Sequence, residues 1–328
     1  MKHFLKTFFL IYSPLWLRIY LLRRKGRVGN NFKLAGGSWI YANKIDIGDD
    51  VIIEKNVTIS TASLSLGNKV HIQKDVNMVA DKSISIGELS LIMQNNTFGG
   101  SQTCNSSLNI GRRVHIYQDC YINTTGEIIF EDGVGIGGRS LIFTHGSWQN
   151  AYEGFPFGFG NVTIKKNAWL PWQVFVMPGV TIGEEATIGS AALVGKDVPP
   201  RSFAVGVPAK VIKSGDEYIK KMGPSAKTDL MRQTFLRFSN NYSFYNGRKS
   251  EIVEEPDKLV LKFDSFRIVF SLTPFTPTHN EIILTETEDA LQPGMYDLNR
   301  KTGKSNGNPI GQAYISSLSI FGIRFDVE

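Results

Sequence analysis

The strongest pattern in this sequence is an aliphatic residue at every sixth position. Steps of six from Ile164 reach, in order, Leu170, Val176, Ile182, Ile188 and Val194. The same spacing divides the upstream sequence into triples of apolar positions, which begin at Val28, Ile47, Leu66, Ile86, Ile110 and Phe130. These eight triples argue against a helical core, because an amphipathic helix requires apolar spacings of three and four.

A six-residue unit forms one short strand and one turn, and three units close one triangular coil. The aliphatic residue of each unit then points inward and stacks on its equivalent in the next coil, while Gly and Asn permit tight corners. A single coil buries little apolar surface, so its stability depends on the neighbouring coils. The repeat therefore predicts an all-β fold, a parallel β-helix of about eight coils over residues 28–214.

One interruption of the repeat is much longer than the others. The first residues of successive triples lie 19, 19, 20, 24, 20, 34 and 18 positions apart. The value of 34 means that about 16 residues leave the coil between Ile142 and Ile164. This excursion reads THGSWQNAYEGFPFGFGNVT and has His145 at its base. Loops that project from a rigid scaffold commonly carry function, so the excursion marks the candidate site.

The first 28 residues are basic and rich in large apolar side chains. They contain seven Lys and Arg residues and no acid, in a chain whose net charge is +6. Lys6, Pro14 and Arg18 interrupt the apolar run, which is therefore too short to cross a bilayer. Two interpretations of residues 1–27 remain open: an amphipathic segment whose residues 1–25 contact a membrane peripherally, and a helix that packs on the end of the main domain.

Composition excludes several classes of protein. Apolar content of 42% and charged content of 20% are typical of a chain that folds. Cys104 and Cys120 cannot form a disulfide framework and have no metal-binding spacing, which favours a reducing compartment. We therefore expect a cytoplasmic protein, with any membrane contact at the inner face, and no nucleic-acid partner, since basic residues are not interleaved with aromatic ones.

Residues 215–328 lie outside the repeat. A helical pattern runs from about Asp216 to Asn241. The segments KLVLKFDSFRIVFSL, EIILTETE and AYISSLSIFGIRFDVE that follow have strand-like composition. The sequence thus predicts a C-terminal appendage of one helix and several strands, whose function the pattern does not indicate.

The stretch from Ile142 to Lys213 resembles the hexapeptide-repeat acyltransferases, and among them the bacterial surface-polysaccharide O-acetyltransferases. The resemblance depends on IFTHG and on the segments MPGVTIG and VGKDVPPRSFAVGVPAKVIK. It implies a left-handed coil, acetyl-coenzyme A as the acyl donor, a sugar or glycan acceptor and a homotrimer with sites between subunits. It implies no metal.

In this family the His at the base of the projecting loop is the catalytic base, so the resemblance assigns that role to His145. The chemistry agrees, because a neutral imidazole can take the proton of a sugar hydroxyl as the oxygen attacks a thioester. The family often pairs this His with an upstream Asn. Tyr117 replaces that Asn here, which leaves Gln118 or Asp119 as candidates to orient the acceptor or the imidazole.

The resemblance also implies the residues that contact coenzyme A. By motif position they are Trp172, Ser190, Gly195, Lys196, Lys210 and Lys213. The lysines suit acidic phosphates. Trp172 stands where the family usually has a small residue, and its ring is expected either to stack on the cofactor or to narrow the acyl pocket.

Three alternatives remain at this point. An amino-sugar N-acyltransferase acting on a nucleotide-linked sugar uses the same fold. A carbonic anhydrase on this helix would need three His ligands, and the spacing of His71, His115 and His145 does not resemble that family's. A non-catalytic β-helix binding module would need neither the excursion nor its basal His.

Overall fold

A computed structural model describes residues 13–101, 103–147, 149–273, 275–278, 280–287 and 289–327. His3, His279 and the first twelve residues of the basic segment lie outside the described residues. The contacts of the chain define two compact units, residues 1–220 and 221–328. The domain boundaries expected at 27/28 and 214/215 stay predictions.

The first unit winds into a three-sided prism of eight complete coils, each of which adds one parallel strand to each face. The strands of the first face are Gly26–Val28, Lys44–Ile47, Ser63–Leu66, Ser83–Ile86, Ser107–Ile110, Glu127–Phe130, Val162–Ile164 and Thr181–Ile182. Those of the second face are Lys33–Leu34, Ile52–Ile53, His71–Ile72, Leu91–Ile92, His115–Ile116, Gly135–Ile136, Trp169–Leu170, Thr187–Ile188, Ser202–Val205 and Lys210–Ser214. Those of the third face are Trp39–Tyr41, Thr58–Ser60, Asn77–Val79, Thr97–Phe98, Tyr121–Ile122, Leu141–Ile142, Phe175–Val176 and Leu193–Val194. The predicted left-handed parallel β-helix is confirmed.

The inward positions are those of the sequence repeat. On the third face, Ile122 pairs with Ile142 and Ile142 with Val176, and all three are fully buried. Neighbouring residues point outward, since successive side chains of a strand alternate between faces. The interior is therefore a continuous column of apolar side chains from the first coil to the last, mostly aliphatic and joined by Phe98 and Phe130.

The corners turn by a mechanism that differs in part from the expected one. The left-handed backbone positions are mostly non-Gly residues, such as Asn56, Asn95 and Asn167. The Gly residues that follow the aliphatic positions are instead required by close approach. A Cβ at Gly87 would lie 2.5 Å from the carbonyl carbon of Gly111 in the next coil. Glycine is thus fixed there by coil spacing, whereas the left-handed turns are supplied by residues of several types, with Asn and Asp among them.

A short helix, Leu15–Arg23, covers the N-terminal end of the coil. Leu22 belongs to the buried core, and the guanidinium of buried Arg18 donates a hydrogen bond of 2.8 Å to the carbonyl of Ser38. The helix therefore packs on the end of the β-helix along one of its sides. Among the described residues, no helix has the length and apolar character needed to span a bilayer.

The other end of the coil is closed by an antiparallel strand pair. Ser202–Val205 continues the second face, and Lys210–Ser214 turns back along it. A four-residue helix, Gly215–Tyr218, follows, and the ring of Tyr218 stacks on Phe203 with centroids 5.5 Å apart. Because the last strand runs antiparallel, further parallel coils cannot be added in register at this position.

The second unit is a mixed sheet covered by helices. Its strands are Glu251–Glu255, Lys258–Lys262, Arg267–Ser271, Glu281–Thr285, Met295–Asp297, Thr302–Gly303 and Asp326–Val327. The helices are Pro224–Asn246 and Pro309–Ser317, followed by a 3₁₀ turn, Leu318–Phe321. The helical pattern predicted from Asp216 to Asn241 thus corresponds to two separate helices, Gly215–Tyr218 and Pro224–Asn246.

The strand expected in AYISSLSIFGIRFDVE is wrong for most of its length. The side chain of Asn308 accepts hydrogen bonds from the backbone N–H groups of Ile310 and Gly311, which starts a helix at Pro309. Ile310, Tyr314 and Leu318 are buried at spacings of four, as one face of a helix requires. The cap and this packing outweigh the strand propensity of the segment.

Ile128→Ala and Ile129→Ala form a matched pair that tests the stacked core. Ile128 is fully buried, whereas Ile129 points out from the first face and is half-buried. We expect Ile128→Ala to lower the free energy of unfolding by about 2–5 kcal/mol and Ile129→Ala by less than about 1 kcal/mol. Urea denaturation followed by circular dichroism measures both, and equal losses would contradict an aliphatic column as the source of stability.

Candidate active site

The excursion predicted from the repeat leaves the prism at the corner between the third and first faces. Strand His145–Gly146 pairs with Gly158–Phe159 in an antiparallel hairpin, and Ala151–Glu153 forms a 3₁₀ turn at its far end. The hairpin is closed where it leaves the coil, because the N–H of Gly160 donates to the carbonyl of Thr144 at 3.0 Å. The excursion is therefore an ordered hairpin that keeps His145 at its base.

A buried polar cluster fixes the chain just before His145. The hydroxyl of Thr144 lies 2.8 Å from the carbonyl oxygen of Asn123 and 3.0 Å from its side-chain oxygen. The N–H of Gly126 donates to the same hydroxyl at 2.8 Å. Thr144 and Asn123 are both buried, so these bonds are shielded from water. The position of His145 thus follows from the coil below it, not from the loop alone.

His145 itself is half-buried, and one side of its ring is covered. The imidazole lies 4.6 Å from the ring of Phe159, which belongs to the returning strand of the hairpin. Phe157 packs edge-on against Phe159 at 6.3 Å. Among the described residues, none makes a hydrogen bond to the imidazole. The ring is therefore oriented by an aromatic contact, with nitrogen atoms available to a substrate.

Gln118 and Asp119 lie at a different corner from His145. They form the turn that precedes the third-face strand Tyr121–Ile122, whereas His145 follows the neighbouring strand Leu141–Ile142. The width of the third face therefore separates them within one chain, roughly 15–20 Å at the rise of a β-strand. The structure does not bring these candidate catalytic residues together in a single copy.

The two residues also differ in what they contact. Asp119 has a left-handed backbone, and its carboxylate accepts a hydrogen bond of 3.2 Å from Asn95 in the coil below. It therefore stabilises the corner, as Asp75 does by accepting a hydrogen bond from Asn56 in the coil below it. The side-chain oxygen of Gln118 is buried and accepts no hydrogen bond from the described residues. A ligand or a second copy can bond to this oxygen only if the side chain rotates to expose it.

Gln118 lies at the corner between the second and third faces, called here the second–third corner. Later coils place Trp172, Ser190 and Lys210 at the same corner. Trp172 and Ser190 occupy equivalent positions of successive coils, and the N–H of Ala191 donates to the carbonyl of Trp172. The indole of Trp172 lies over Gly138, where an added Cβ would be 2.6 Å from the ring. The ring is 43% exposed and so presents one surface to solvent.

The lysines of the last strand lie on the second face near this corner. Lys210 pairs with Val205 and Lys213 with Phe203 in the closing antiparallel pair, and both lysines are exposed. Of the two, Lys210 is the nearer to the Ser190 turn, because the side chain of Val205 lies over Gly189. The second–third corner thus combines an exposed aromatic ring with positive charge.

Gly195 and Lys196 lie on the same corner as His145. They follow Leu193–Val194, which pairs with Phe175–Val176, and that strand pairs with Leu141–Ile142. Lys196 is therefore two coils above Thr144, about 10 Å along the coil axis. A Cβ at Gly195 would meet Met177 at an ordinary 3.9 Å, so this chain's own packing does not require glycine there.

The third face also carries an aromatic surface between the two corners that the repeat did not predict. Phe143 packs against Phe175 at 5.3 Å with nearly parallel rings and against Tyr121 at 5.6 Å. These rings project from the outer side of the third face, where solvent-facing strand positions are usually polar. Large aromatics at outward positions of the repeat were the signal that could have identified this surface, and the GFPFGFG text of the excursion could have identified Phe159.

These residues fit an extended, acidic and partly apolar ligand such as coenzyme A. The glycine at 195 leaves room, the aromatic rings of the third face offer an apolar strip, and Lys196 and Lys210 offer positive charge at its two edges. The described residues hold no group of three or more His, Cys, Asp or Glu side chains placed to bind a metal ion.

Comparison with known proteins yields relatives for part of the chain. No family model matches it. A Staphylococcus aureus (strain MRSA252) protein that is named only provisionally as an acetyltransferase is 36% identical over 116 residues, 34% of this chain and 58% of that protein. The galactoside O-acetyltransferase of Escherichia coli K12 is 33% identical over 114 residues, 31% of this chain and 55% of that enzyme.

Solved structures give only distant likenesses. A polysialic acid O-acetyltransferase has a TM-score of 0.39 and 18% identity, over 62% of this chain and 96% of that one. The chain spans slightly more than half the length of the curated relatives that it matches. Within that span, its sequence relatives confirm the resemblance of the β-helical unit to the hexapeptide-repeat acyltransferases.

Proposed function

We propose that this protein is an acetyl-coenzyme A-dependent O-acetyltransferase that acts on a sugar of a bacterial surface polysaccharide. The observation that carries the proposal is the placement of His145, a half-buried imidazole at the base of an ordered hairpin. Its nitrogen atoms make no bond to described residues, and Gly195 and Lys196 lie on the same corner two coils away. This arrangement suits a general base beside a bound thioester.

The reaction needs one proton acceptor and one proton donor, and His145 supplies both. Its neutral imidazole takes the proton of a sugar hydroxyl as the oxygen attacks the thioester carbonyl. The carbon–sulfur bond then breaks, and the imidazolium returns the proton to the departing thiolate. A backbone N–H of the coil wall is the simplest donor for the carbonyl oxygen during this step. The contact with Phe159 restricts ring rotation and keeps the imidazole ready for transfer.

The acyl donor is proposed to lie along the coil axis at the His145 corner. Its thiol end would be near His145 and its phosphates toward the C-terminal coils, where Lys196 is exposed about 10 Å away. Lys210, Lys213, Ser190 and Trp172 would contact it from the second–third corner. Since the third face separates these two corners by roughly 15–20 Å within one chain, we expect the two sets of contacts to come from different copies.

A homotrimer resolves this separation. If three prisms pack with parallel axes, the second–third corner of one copy can face the third–first corner of the next. Gln118, whose side-chain oxygen is buried and without a partner in the described chain, would then lie opposite the neighbour's His145. In this arrangement Gln118 orients the acceptor or the imidazole across the subunit boundary, while Asp119 holds its corner through Asn95.

An amino-sugar N-acetyltransferase is the second candidate, because the same base and donor site serve an amine nucleophile. The basic, aromatic N-terminal region favours a membrane-associated glycan over a free nucleotide sugar. The two are separated by comparing turnover on hydroxyl-only glycans with turnover on nucleotide-linked amino sugars. A non-catalytic binding module is disfavoured, because it has no need of an oriented imidazole.

The proposed transfer is direct, without an acyl-enzyme. Cys120 lies at the corner between the second and third faces, and its thiol is buried 3.3 Å from the carbonyl of Gly137. Burial raises the pKa of the Cys120 thiol to about 11, so it stays protonated and unreactive at neutral pH. Cys104 is exposed and lies at the same corner as His145 but about two coils away, roughly 10 Å, which is beyond hydrogen-bond reach of the imidazole.

His145→Ala should lower turnover by about 10²–10⁴-fold, the usual contribution of a positioned general base. Coenzyme A binding should change little, because the imidazole contacts the reacting end only. Steady-state kinetics and calorimetric titration measure the two effects. His71→Ala is the matched control, since His71 pairs with Glu54 at 2.8 Å on the second face. An enzyme that keeps full turnover without His145 would refute the assignment.

Lys196→Ala should give the complementary result. We expect weaker coenzyme A binding, by roughly tenfold, with turnover at saturating donor mostly retained, because a phosphate contact acts before and during the chemical step alike. The measurement is KM for acetyl-coenzyme A against kcat. A lowered kcat with unchanged KM would instead place Lys196 near the reacting atoms.

Thiol labelling tests whether cysteine chemistry is available to the reaction. In the folded protein at pH 7–8, iodoacetamide should modify Cys104 and spare Cys120, because only the former is exposed and the pKa of the latter is raised. Peptide mass spectrometry identifies the labelled residue. Rapid modification of Cys120 with loss of activity, or a trapped acyl-cysteine, would argue for a covalent route.

Light scattering and subunit mixing test the trimer. The mass should be three times that of the 36.6 kDa chain.

Trp172→Glu places a carboxylate where an acidic cofactor would bind. If each site combines His145 of one copy with Trp172 of the next, co-expression of His145→Ala and Trp172→Glu chains should restore about one quarter of the wild-type activity. A monomer, or no recovery, would contradict shared sites.

A further inference from the structure

The N-terminal helix Leu15–Arg23 buries one side and leaves an aromatic side uncovered. Arg18 and Leu22, four residues apart, face the first coil. Trp16 and Tyr20, also four residues apart, are 70% and 56% exposed, and Leu15 is 43% exposed. Residues four apart share one side of a helix, so Trp16 and Tyr20 form a continuous surface. The two interpretations left open by the sequence, packing on the coil and contact with a membrane, are thus compatible.

Positive charge borders this aromatic surface. Arg23 and Arg24 end the helix, are exposed and form no ion pair with any described residue. Lys25 donates a hydrogen bond of 2.7 Å to the carbonyl of Ala42, which holds it beside them. No acidic residue precedes Asp46 in the sequence. The end of the coil therefore combines exposed Trp and Tyr side chains with exposed basic ones, of which Arg23 and Arg24 form no ion pair with a described residue.

We propose that this end of the β-helix binds the surface of a bilayer that contains anionic phospholipids. Trp and Tyr are the residues that favour the interfacial region of a bilayer, and clustered Lys and Arg side chains are attracted to anionic headgroups. The preceding sequence, MKHFLKTFFLIY, continues the same combination of aromatic and basic residues. A second copy of the chain is a poorer occupant, because like surfaces would bring the basic clusters together.

The position of the helix fixes the distance between the bilayer and the proposed active site. His145 follows the sixth coil, and each coil adds about 4.8 Å, so it lies about 24 Å along the coil axis from the first coil. In the proposed trimer the coil axes are parallel, and all three helices face the same way. Three helices that each bind the bilayer weakly then bind it tightly together. The membrane-bound enzyme holds its sites away from the lipid surface.

The distance between the bilayer and His145 narrows the class of acceptor that the enzyme can reach. This step rests on the proposed function. A bound enzyme standing on its N-terminal end would reach sugars about 24 Å from the bilayer, the distance between its first coil and His145. It would therefore acetylate residues some way along a membrane-linked glycan in preference to the sugar next to the lipid.

Vesicle flotation tests the binding itself. The full-length protein should float with vesicles of phosphatidylcholine and phosphatidylglycerol and not with phosphatidylcholine alone. Trp16→Ser/Tyr20→Ser and Arg23→Glu/Arg24→Glu should each reduce the partition coefficient by at least about tenfold. Point variants are preferable to deletion of residues 1–25, because deletion would also remove Arg18 and Leu22 from the first coil.

Matched controls exist elsewhere on the chain. Phe244→Ser/Tyr245→Ser removes two aromatics that are 82% and 79% exposed, and Lys165→Glu/Lys166→Glu reverses two exposed charges on the seventh coil. These controls should float like the wild type. All four variants should keep acetyl transfer to a soluble glycan, which separates a failure of membrane binding from a failure of the proposed function.

Three results would overturn the proposal. The first is equal flotation of the Trp16/Tyr20 variant and the wild type. The second is a change in the oligomeric state of that variant by light scattering, which would assign the surface to a contact between copies. The third concerns the reach of the site: membrane-tethered short glycans should be acetylated at least about tenfold more slowly than long ones, and equal rates would refute the end-on orientation.

Discussion

Every other feature of the first unit depends on the stacking of one coil on the next. A two-residue strand is too short to be stable alone, and a single coil has no interior to bury. Stacking of the coils supplies both the hydrogen bonds that pair the strands and the interior that buries the side chains. Each strand gains hydrogen bonds to the coils on both sides, and each aliphatic side chain, such as Ile136 or Ile142, is removed completely from water. The ends of the stack are the exceptions, and they are closed by the helix Leu15–Arg23 and by the antiparallel strand Lys210–Ser214.

A rigid prism of this kind separates stability from chemistry. The interior is occupied mainly by apolar side chains, so groups that react with a substrate lie on the faces, at the corners or on excursions. The hairpin that starts at His145 is therefore free to carry the imidazole, while its base is held by Thr144 and Asn123 in the coil. The same rigidity fixes the distance between corners. Gln118 and His145 cannot approach each other by a change within one chain, which is why a second copy enters the proposed mechanism.

The end of the stack has an additional consequence. The first coil needs a cover, and the helix that provides it uses Arg18 and Leu22 for that purpose. A helix that covers with one side must present the other side to its surroundings. Here that side carries Trp16 and Tyr20 and is followed by Arg23 and Arg24. The helix that the first coil requires as a cover thus also presents a surface whose chemistry suits an anionic bilayer.

The period of six determined the fold of residues 28–214 and the location of the excursion, because no other regular structure buries every sixth residue. It also placed His145 at the base of the loop. What the sequence could not determine was which residues meet. Gln118 and Asp119 precede one third-face strand, and His145 follows the next. Closure of each triangular coil therefore puts them at opposite edges of the third face. The contact of Phe159 with His145 arises only when the hairpin folds back. In the second unit, Tyr314 belongs to a helix because Asn308 caps that helix and the sheet buries one of its faces. Periodicity is a local property of the chain, whereas these neighbours are brought together by turns and packing that no local pattern specifies.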